Sequence, residues 1–268
     1  MEPSIGIMDS GVGGLTVAKE IMRQLPNEPL IYFGDTARCP YGPRTAEEVR
    51  RFAWEVINFL QEFPLKMLVI ACNTVTATML EEVQQQLPIP VIGVIAPGVR
   101  AALQQTQTGR IGVIGTQGTI RSQAYERQLL QQNPTLHVVS LACPAFVPLV
   151  EQGRYRSAEA ETVVREVLGP LVSEQLDTLI LGCTHYPLLA PVIQRVMGEE
   201  VRLISSAAET AKDVYHYLKR YQLFHPSTGS GVTRQIFVSG DVRLFKQIAA
   251  DWFGREFDVT SIHLPQVG

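Results

Sequence analysis

The sequence predicts an α/β protein of two similar halves, each built on a mostly parallel sheet. Three observations carry this. Short apolar runs alternate with amphipathic stretches along the chain, which is the spacing of βαβ units. The opening motif Ile5-Gly6-Ile7-Met8-Asp9-Ser10 returns as Ile111-Gly112-Val113-Ile114-Gly115-Thr116. An apolar run ending in cysteine also occurs twice, as Met67-Leu68-Val69-Ile70-Ala71-Cys72-Asn73-Thr74 and as Thr178-Leu179-Ile180-Leu181-Gly182-Cys183-Thr184-His185-Tyr186-Pro187. The two pairs repeat at nearly the same offset, which implies one duplicated unit.

Taken in order, strands are expected at Ile5–Met8, Leu30–Phe33, Met67–Ala71, Val91–Val94, Ile111–Ile114, Leu136–Ser140, Leu179–Leu181 and Val201–Ile204. Unbroken apolar runs of this length suit parallel strands covered on both faces. Thr45 and Glu48 form a capping box ahead of Phe52, Val56, Phe59 and Leu60, so a helix starts there. Further helices are expected from about Leu15 to Leu25, Ala158 to Gln175 and Ala207 to Tyr221. The first copy of the unit runs to about Pro97 and the second from about Gly98 to Ser206. Strands at Ile236–Val238 and Val259–Ile262 are too few for a domain and are expected to return to the first half. The domains are then 1–97 plus 207–268, and 98–206. The loop His225-Pro226-Ser227-Thr228-Gly229-Ser230-Gly231 reads as flexible and without chemistry.

Composition narrows the classes. With 268 residues and 46% hydrophobic content the chain can bury a full core. A net charge of -3 and the lack of any Lys/Arg run argue against nucleic acid as a partner. The chain enters a strand almost at once with no signal-peptide pattern, and no apolar run reaches membrane length. These features point to the cytoplasm, where Cys39, Cys72, Cys143 and Cys183 remain thiols.

Asp9-Ser10-Gly11-Val12-Gly13-Gly14 sits where a strand opens into a helix, a position suited to holding anions. A dinucleotide fingerprint fails there, because its third glycine falls at Thr16 and Asp9 repels a pyrophosphate. The loop is expected to bind a smaller carboxylate or ammonium group, or to be no more than a tight turn. A single strand-end cysteine is commonly core filler. Two related halves packed face to face instead bring both strand tips to one cleft, with a thiol on each side of a bound molecule. A thiol's reference pKa of about 8.5 lets modest tuning make one a base and the other an acid. No Cys-x-x-Cys is present, and Cys183 with His185 is the only close Cys/His pair, so a metal site needs ligands gathered from far apart; none is expected. His185 is placed either to tune Cys183 or as a core histidine. Arg38-Cys39-Pro40-Tyr41-Gly42-Pro43 is a polar loop that closes over a ligand or simply turns. Glu151 alone reads as a surface carboxylate, and Cys39 and Cys143 as packing residues.

Taken together, Asp9-Ser10-Gly11-Val12-Gly13-Gly14-Leu15, Tyr32-Phe33-Gly34-Asp35, Pro40-Tyr41-Gly42, Ala71-Cys72-Asn73-Thr74, Pro148-Leu149-Val150-Glu151 and Leu181-Gly182-Cys183-Thr184-His185-Tyr186-Pro187 resemble the glutamate racemase family. The resemblance implies two pseudo-symmetric, flavodoxin-like or Rossmann-like three-layer α/β/α domains with the active site between them. It implies a cofactor-independent, homodimeric enzyme that interconverts L- and D-glutamate and supplies D-glutamate for peptidoglycan. Cys183 then removes the α-proton of L-glutamate and Cys72 that of D-glutamate. Asp9 assists Cys72, and His185, oriented by Glu151, assists Cys183. Ser10, Tyr41, Gly42, Asn73, Thr74 and Thr184 match substrate-binding positions together with Asp9 and His185, and Thr116 and Thr119 are weaker candidates for a carboxylate contact. None of the five lysines (Lys19, Lys66, Lys212, Lys219, Lys246) lies beside a cysteine motif where a Schiff base would form. A related racemase acting on aspartate and a non-catalytic, flavodoxin-like binding module are the competing readings.

Overall fold

The computed structural model describes residues 3–226, 232–254 and 256–264. Residues 227–231 of the loop expected to be flexible lie outside them. The chain begins β1 (Ser4–Asp9), α1 (Leu15–Gln24), β2 (Leu30–Gly34), α2 (Ala46–Gln61), β3 (Leu65–Ile70), α3 (Asn73–Gln86), β4 (Val91–Gly93). After α4 (Ile95–Gln105) come β5 (Arg110–Gly115), α5 (Gln117–Arg121), α6 (Ala124–Gln132), β6 (His137–Ala142), α7 (Phe146–Glu151), α8 (Ala158–Val172), β7 (Thr178–Gly182), a 3-10 turn (Tyr186–Leu189), α9 (Ala190–Met197) and β8 (Arg202–Ile204). The last elements are α10 (Ala207–Tyr221), β9 (Arg234–Val238), α11 (Val242–Phe253) and β10 (Val259–Ser261).

The duplicated sequence becomes duplicated topology. One sheet runs β10-β9-β2-β1-β3-β4 and the other β6-β5-β7-β8. Stripped of β9 and β10, the first repeats the strand order of the second, and every pairing is parallel. Even the register repeats: Gly6 lies opposite Leu68 and Gly112 opposite Leu179. The C-terminal strands extend the first sheet through the pairing of β9 with β2.

Alternate strand residues enter different cores, which is why the strands read as unbroken apolar runs. Ile5, Ile7 and Val69 share one cluster with Ile114, Leu179 and Leu181 of the second sheet. Met8, Leu68 and Ile70 point the other way, onto Phe52, Val56 and Leu60 of α2 and Val75, Met79 and Val83 of α3. Ile111, Val113 and Ile180 meet Ile95, Val99 and Leu129. Each such fully buried side chain contributes about 2 kcal/mol. One continuous core therefore spans the inner faces of both sheets and fixes how they meet.

The capping box forms as expected, with Thr45 Oγ1 accepting from Glu48 N–H and the Glu48 carboxylate accepting from Thr45 N–H. Helix α8 stops at Val172, short of Gln175. Pro170 sits in its last turn, Ser173 is its C-cap, and Gln175, beyond the end, adopts a left-handed φ of 52 that rules out continuing the helix through it. Among the described residues no helix is long and apolar enough to cross a membrane.

Candidate active site

The strand tips of both sheets converge on one small cavity. Ser10 follows β1, Cys72 to Thr74 follow β3, Thr116 follows β5 and Cys183 to His185 follow β7; Tyr41 and Gly42 close it from the loop after β2. Parallel strands deliver their C-terminal ends to one edge, so this gathering follows from the topology.

Cys72 is the residue preceding α3, in extended conformation, and its Sγ lies 3.6 Å from Ser10 Oγ. Burial, reinforced by the charge of Asp9, pushes its thiol up to about 12. Cys183 has a different neighbour: its Sγ lies 3.7 Å from Nδ1 of His185. The other ring nitrogen of His185 is 2.5 Å from Oε1 of Glu151, the last residue of α7, and that carboxylate also accepts from Val12 N–H at 2.8 Å. Burial opposes a charge on His185, but the hydrogen bonds it makes to Cys183, Cys39 and Glu151 outweigh it and hold the ring protonated well above the usual histidine range. Burial likewise works against ionised Glu151, yet its bond to His185 keeps the carboxyl below the ordinary range.

The glycine-rich loop works differently from the expected anion cradle. Gly11 and Gly14 N–H both donate, at 3.0 Å, to Oδ2 of Asp9 itself, and Val12 N–H goes to Glu151. Its donors at these three residues are therefore spent inside the protein. The glycines are needed because the other half presses on them. A Cβ at Gly11 would stand 2.0 Å from Glu151 Oε1, and one at Gly13 would stand 2.5 Å from His185 Nδ1 and 2.6 Å from Thr184 Oγ1. Asp9 is fully buried, accepts from Thr184 Oγ1 at 3.2 Å, and is raised by burial to about 6. Its side-chain hydrogen bonds thus run to its own loop and to Thr184 on the Cys183 side, while it reaches Cys72 by charge through space.

The remaining expected residues divide. Thr74, Thr116 and Thr119 link hydroxyls across the two halves, with Thr74 2.8 Å from Thr116 and Thr116 3.0 Å from Thr119; Thr116 lines the cavity and Thr119 stands behind it. Asn73 lines the cavity while its Oδ1 accepts from Tyr125 OH at 2.7 Å. Tyr41 offers its ring and backbone, because its hydroxyl donates to Asp35, which Arg38 and Ser239 also hold. Gly42 C=O accepts from Gly118 N–H at 2.9 Å, tying the closing loop to the second half. Pro40 lines the cavity from the loop expected to close over a ligand, whereas Val147 and the supporting Tyr125 were not singled out, and nothing in their spacing marks them. Cys143 is a packing residue beside Leu141 and Tyr186. Cys39 has company instead: ligand atoms of Cys39, Glu151 and His185 all lie within 4.8 Å of one another.

Two parallel α/β units enclosing a small cavity lined by thiols, hydroxyls and a charged imidazole define an enzyme of small polar molecules rather than a binding surface for a macromolecule. Comparison with known proteins places it further. The family profile for Asp/Glu/hydantoin racemases matches residues 5–214. A glutamate racemase of Bacillus cereus is 56% identical over 95% of this chain and 94% of its own length, and one of Enterococcus faecalis 53% identical over 98% and 97%. Among solved structures, a glutamate racemase isoform of Bacillus anthracis superposes with a TM-score of 0.92 at 48% identity, covering 98% of both chains. A Francisella tularensis glutamate racemase in complex with D-glutamate superposes at 0.90 with 35% identity, again over 98% of both. The chain belongs to the Asp/Glu/hydantoin racemase family and, within it, to the glutamate racemases.

Proposed function

We propose that this protein interconverts L- and D-glutamate by transferring a proton between Cys72 and Cys183, with no cofactor. The observation that supports it is the placing of these two thiols, one from each sheet, on a single closed cavity. Inversion at one carbon requires proton exchange on both faces. In the L-to-D direction the Cα–H bond breaks, its proton passes to Cys183 Sγ, and the electron pair stays on carbon. Cys72 then gives its own proton to the opposite face, and the reverse reaction exchanges the roles. Cys72, pushed up to about 12, suits the acid role. Protonated His185, oriented by Glu151, places positive charge beside the sulfur that acts as base.

The amino-acid α-carbon is weakly acidic, so the carbanion must be stabilised by fixed donors in a dry site. Each such donor contributes about 3–4 kcal/mol in comparable sites. Backbone N–H groups of Ser10, Thr74 and Thr184, with the side chains of Ser10, Asn73, Thr74 and Thr184, are assigned to the substrate's polar groups, with Tyr41 and Gly42 closing over it. Asp9 positions Thr184 and sets the charge near Cys72. The domains are taken as 1–97 plus 207–268, and 98–206. As the resemblance of its motifs implies, the protein is taken as a cytoplasmic homodimer supplying D-glutamate for peptidoglycan.

The test is purified protein with L-glutamate in D2O and no added cofactor, following optical rotation and the α-proton NMR signal. Loss of both supports the reading. If neither changes with glutamate but both are lost with aspartate, the substrate assignment is wrong; silence with both sinks the enzyme reading.

A further inference from the structure

Three residues from distant parts of the sequence form a cluster in which Cys39, a thiol with no part in the racemisation, joins the His185–Glu151 pair. Cys39 comes from the loop after β2, Glu151 from the end of α7 and His185 from the turn after β7. Their sulfur, oxygen and nitrogen atoms lie within 4.8 Å of one another, with Cys39 and Glu151 against Gly11 and His185 against Gly13. A second cavity, separate from the thiol-lined one, opens onto Cys39 and Glu151, two of the three. It has a volume of about 140 Å³ and is lined by Cys39 and Glu151 together with Thr36, Asp241 and Phe245. The cluster therefore has a route to solvent that bypasses the substrate cavity.

We propose that Cys39, Glu151 and His185 form an inhibitory binding site for a zinc-class divalent cation, entered from the cavity beside Asp241. A thiolate, an imidazole and a carboxylate form a mixed set that favours zinc or cobalt over magnesium or calcium, whose ligands are oxygens. Metal–ligand lengths of about 2.0–2.3 Å put donors in a tetrahedral site roughly 3.3–3.8 Å apart. The His185–Glu151 contact of 2.5 Å opens by about 1 Å to admit the ion, and Cys39 closes in. Water from the cavity supplies the fourth ligand. Binding displaces one proton from Cys39 Sγ and one from His185 Nε2, both released to solvent.

Inhibition follows from where the ligands sit. Cys39 is attached to the loop that carries Tyr41 and Gly42 over the substrate cavity, whereas Glu151 and His185 belong to the second half. A cation joining them clamps that loop shut and takes the Nε2 proton of His185, so glutamate neither enters nor leaves. This consequence rests on the racemase reading; the binding itself does not.

Cobalt(II) is the probe, read by its near-ultraviolet thiolate charge-transfer band in the full-length protein. The band is expected in the wild type and in a Cys72→Ser/Cys183→Ser double variant, and is expected to vanish in Cys39→Ser. A band that persists undiminished in Cys39→Ser, or is missing from the double variant, overturns the site. As a check independent of variant folding, zinc should protect Cys39 of the wild type from alkylation, read by peptide mass spectrometry; unaltered labelling also overturns it. In the racemase assay zinc should suppress the wild type and leave Cys39→Ser turning over at its metal-free rate. Cobalt binding without any racemisation would fail the proposed function and leave the site standing, whereas racemisation without the band would do the reverse.

Discussion

Nε2 of His185 lies 2.5 Å from Oε1 of Glu151, a residue far from it in sequence, while its other nitrogen faces the sulfur of Cys183. Glu151 is thus one of the groups that keep His185 charged. Glu151→Gln keeps the shape and removes the charge. The alkaline limb of the kcat/KM profile should move to lower pH in that variant, because the imidazolium loses its proton sooner. An alkaline limb that stays where the wild type has it would remove His185 from the titration.

Cys72 and Cys183 face the same cavity but have different partners, Ser10 for one and His185 for the other. Cys72→Ala and Cys183→Ala should each lower racemisation in both directions by roughly 10²–10⁴-fold, the usual contribution of a positioned acid or base. Polarimetry at saturating substrate measures it. Either variant turning over at the normal rate would end the two-thiol mechanism.

Gly13 is where the first half's loop meets the second half's catalytic turn. Gly13→Ala would put a carbon 2.5 Å from His185 Nδ1, within a buried contact that has no room to relax. The expected result is a loss of about 1–3 kcal/mol in urea unfolding together with a steep fall in kcat. Wild-type kcat with unchanged stability would mean that the loop yields freely, contrary to its packing.

How much of this was legible depends on whether the signal is local. The strands and the Cys72/Cys183 pairing were readable because apolar runs and duplication are written in consecutive residues, and the C-terminal strands followed from having nowhere else to go. In the glycine-rich loop, the sequence did not show that Gly11 and Gly14 donate to Asp9 and Val12 to Glu151, a partner far along the chain. Nothing in the sequence showed that Asp35 would take the Tyr41 hydroxyl. Cys39 looked like filler for the same reason: its neighbours Glu151 and His185 are brought in only by the meeting of the two halves.

Asp9 offers a test of burial itself. It is fully buried, and desolvation raises its carboxyl from 3.8 to about 6, against the opposing pull of His185 and of the Gly11 and Gly14 amides. A carboxyl raised on folding is held more tightly as the acid in the folded state than in the unfolded one. Its contribution to stability is therefore present below pH 3.8 and is lost as pH rises from there through about 6. About two pKa units correspond to roughly 3 kcal/mol. Asp9→Asn cannot titrate, so the difference in unfolding free energy between wild type and variant should shift by that amount, against the wild type, between about pH 4 and pH 7. His185 and Glu151 also titrate, but they are present in both proteins, so the comparison isolates Asp9 as far as their couplings are unchanged. Parallel urea-denaturation curves across that range would show that Asp9 is not held as a buried acid, and its through-space action on Cys72 would then be that of a plain carboxylate.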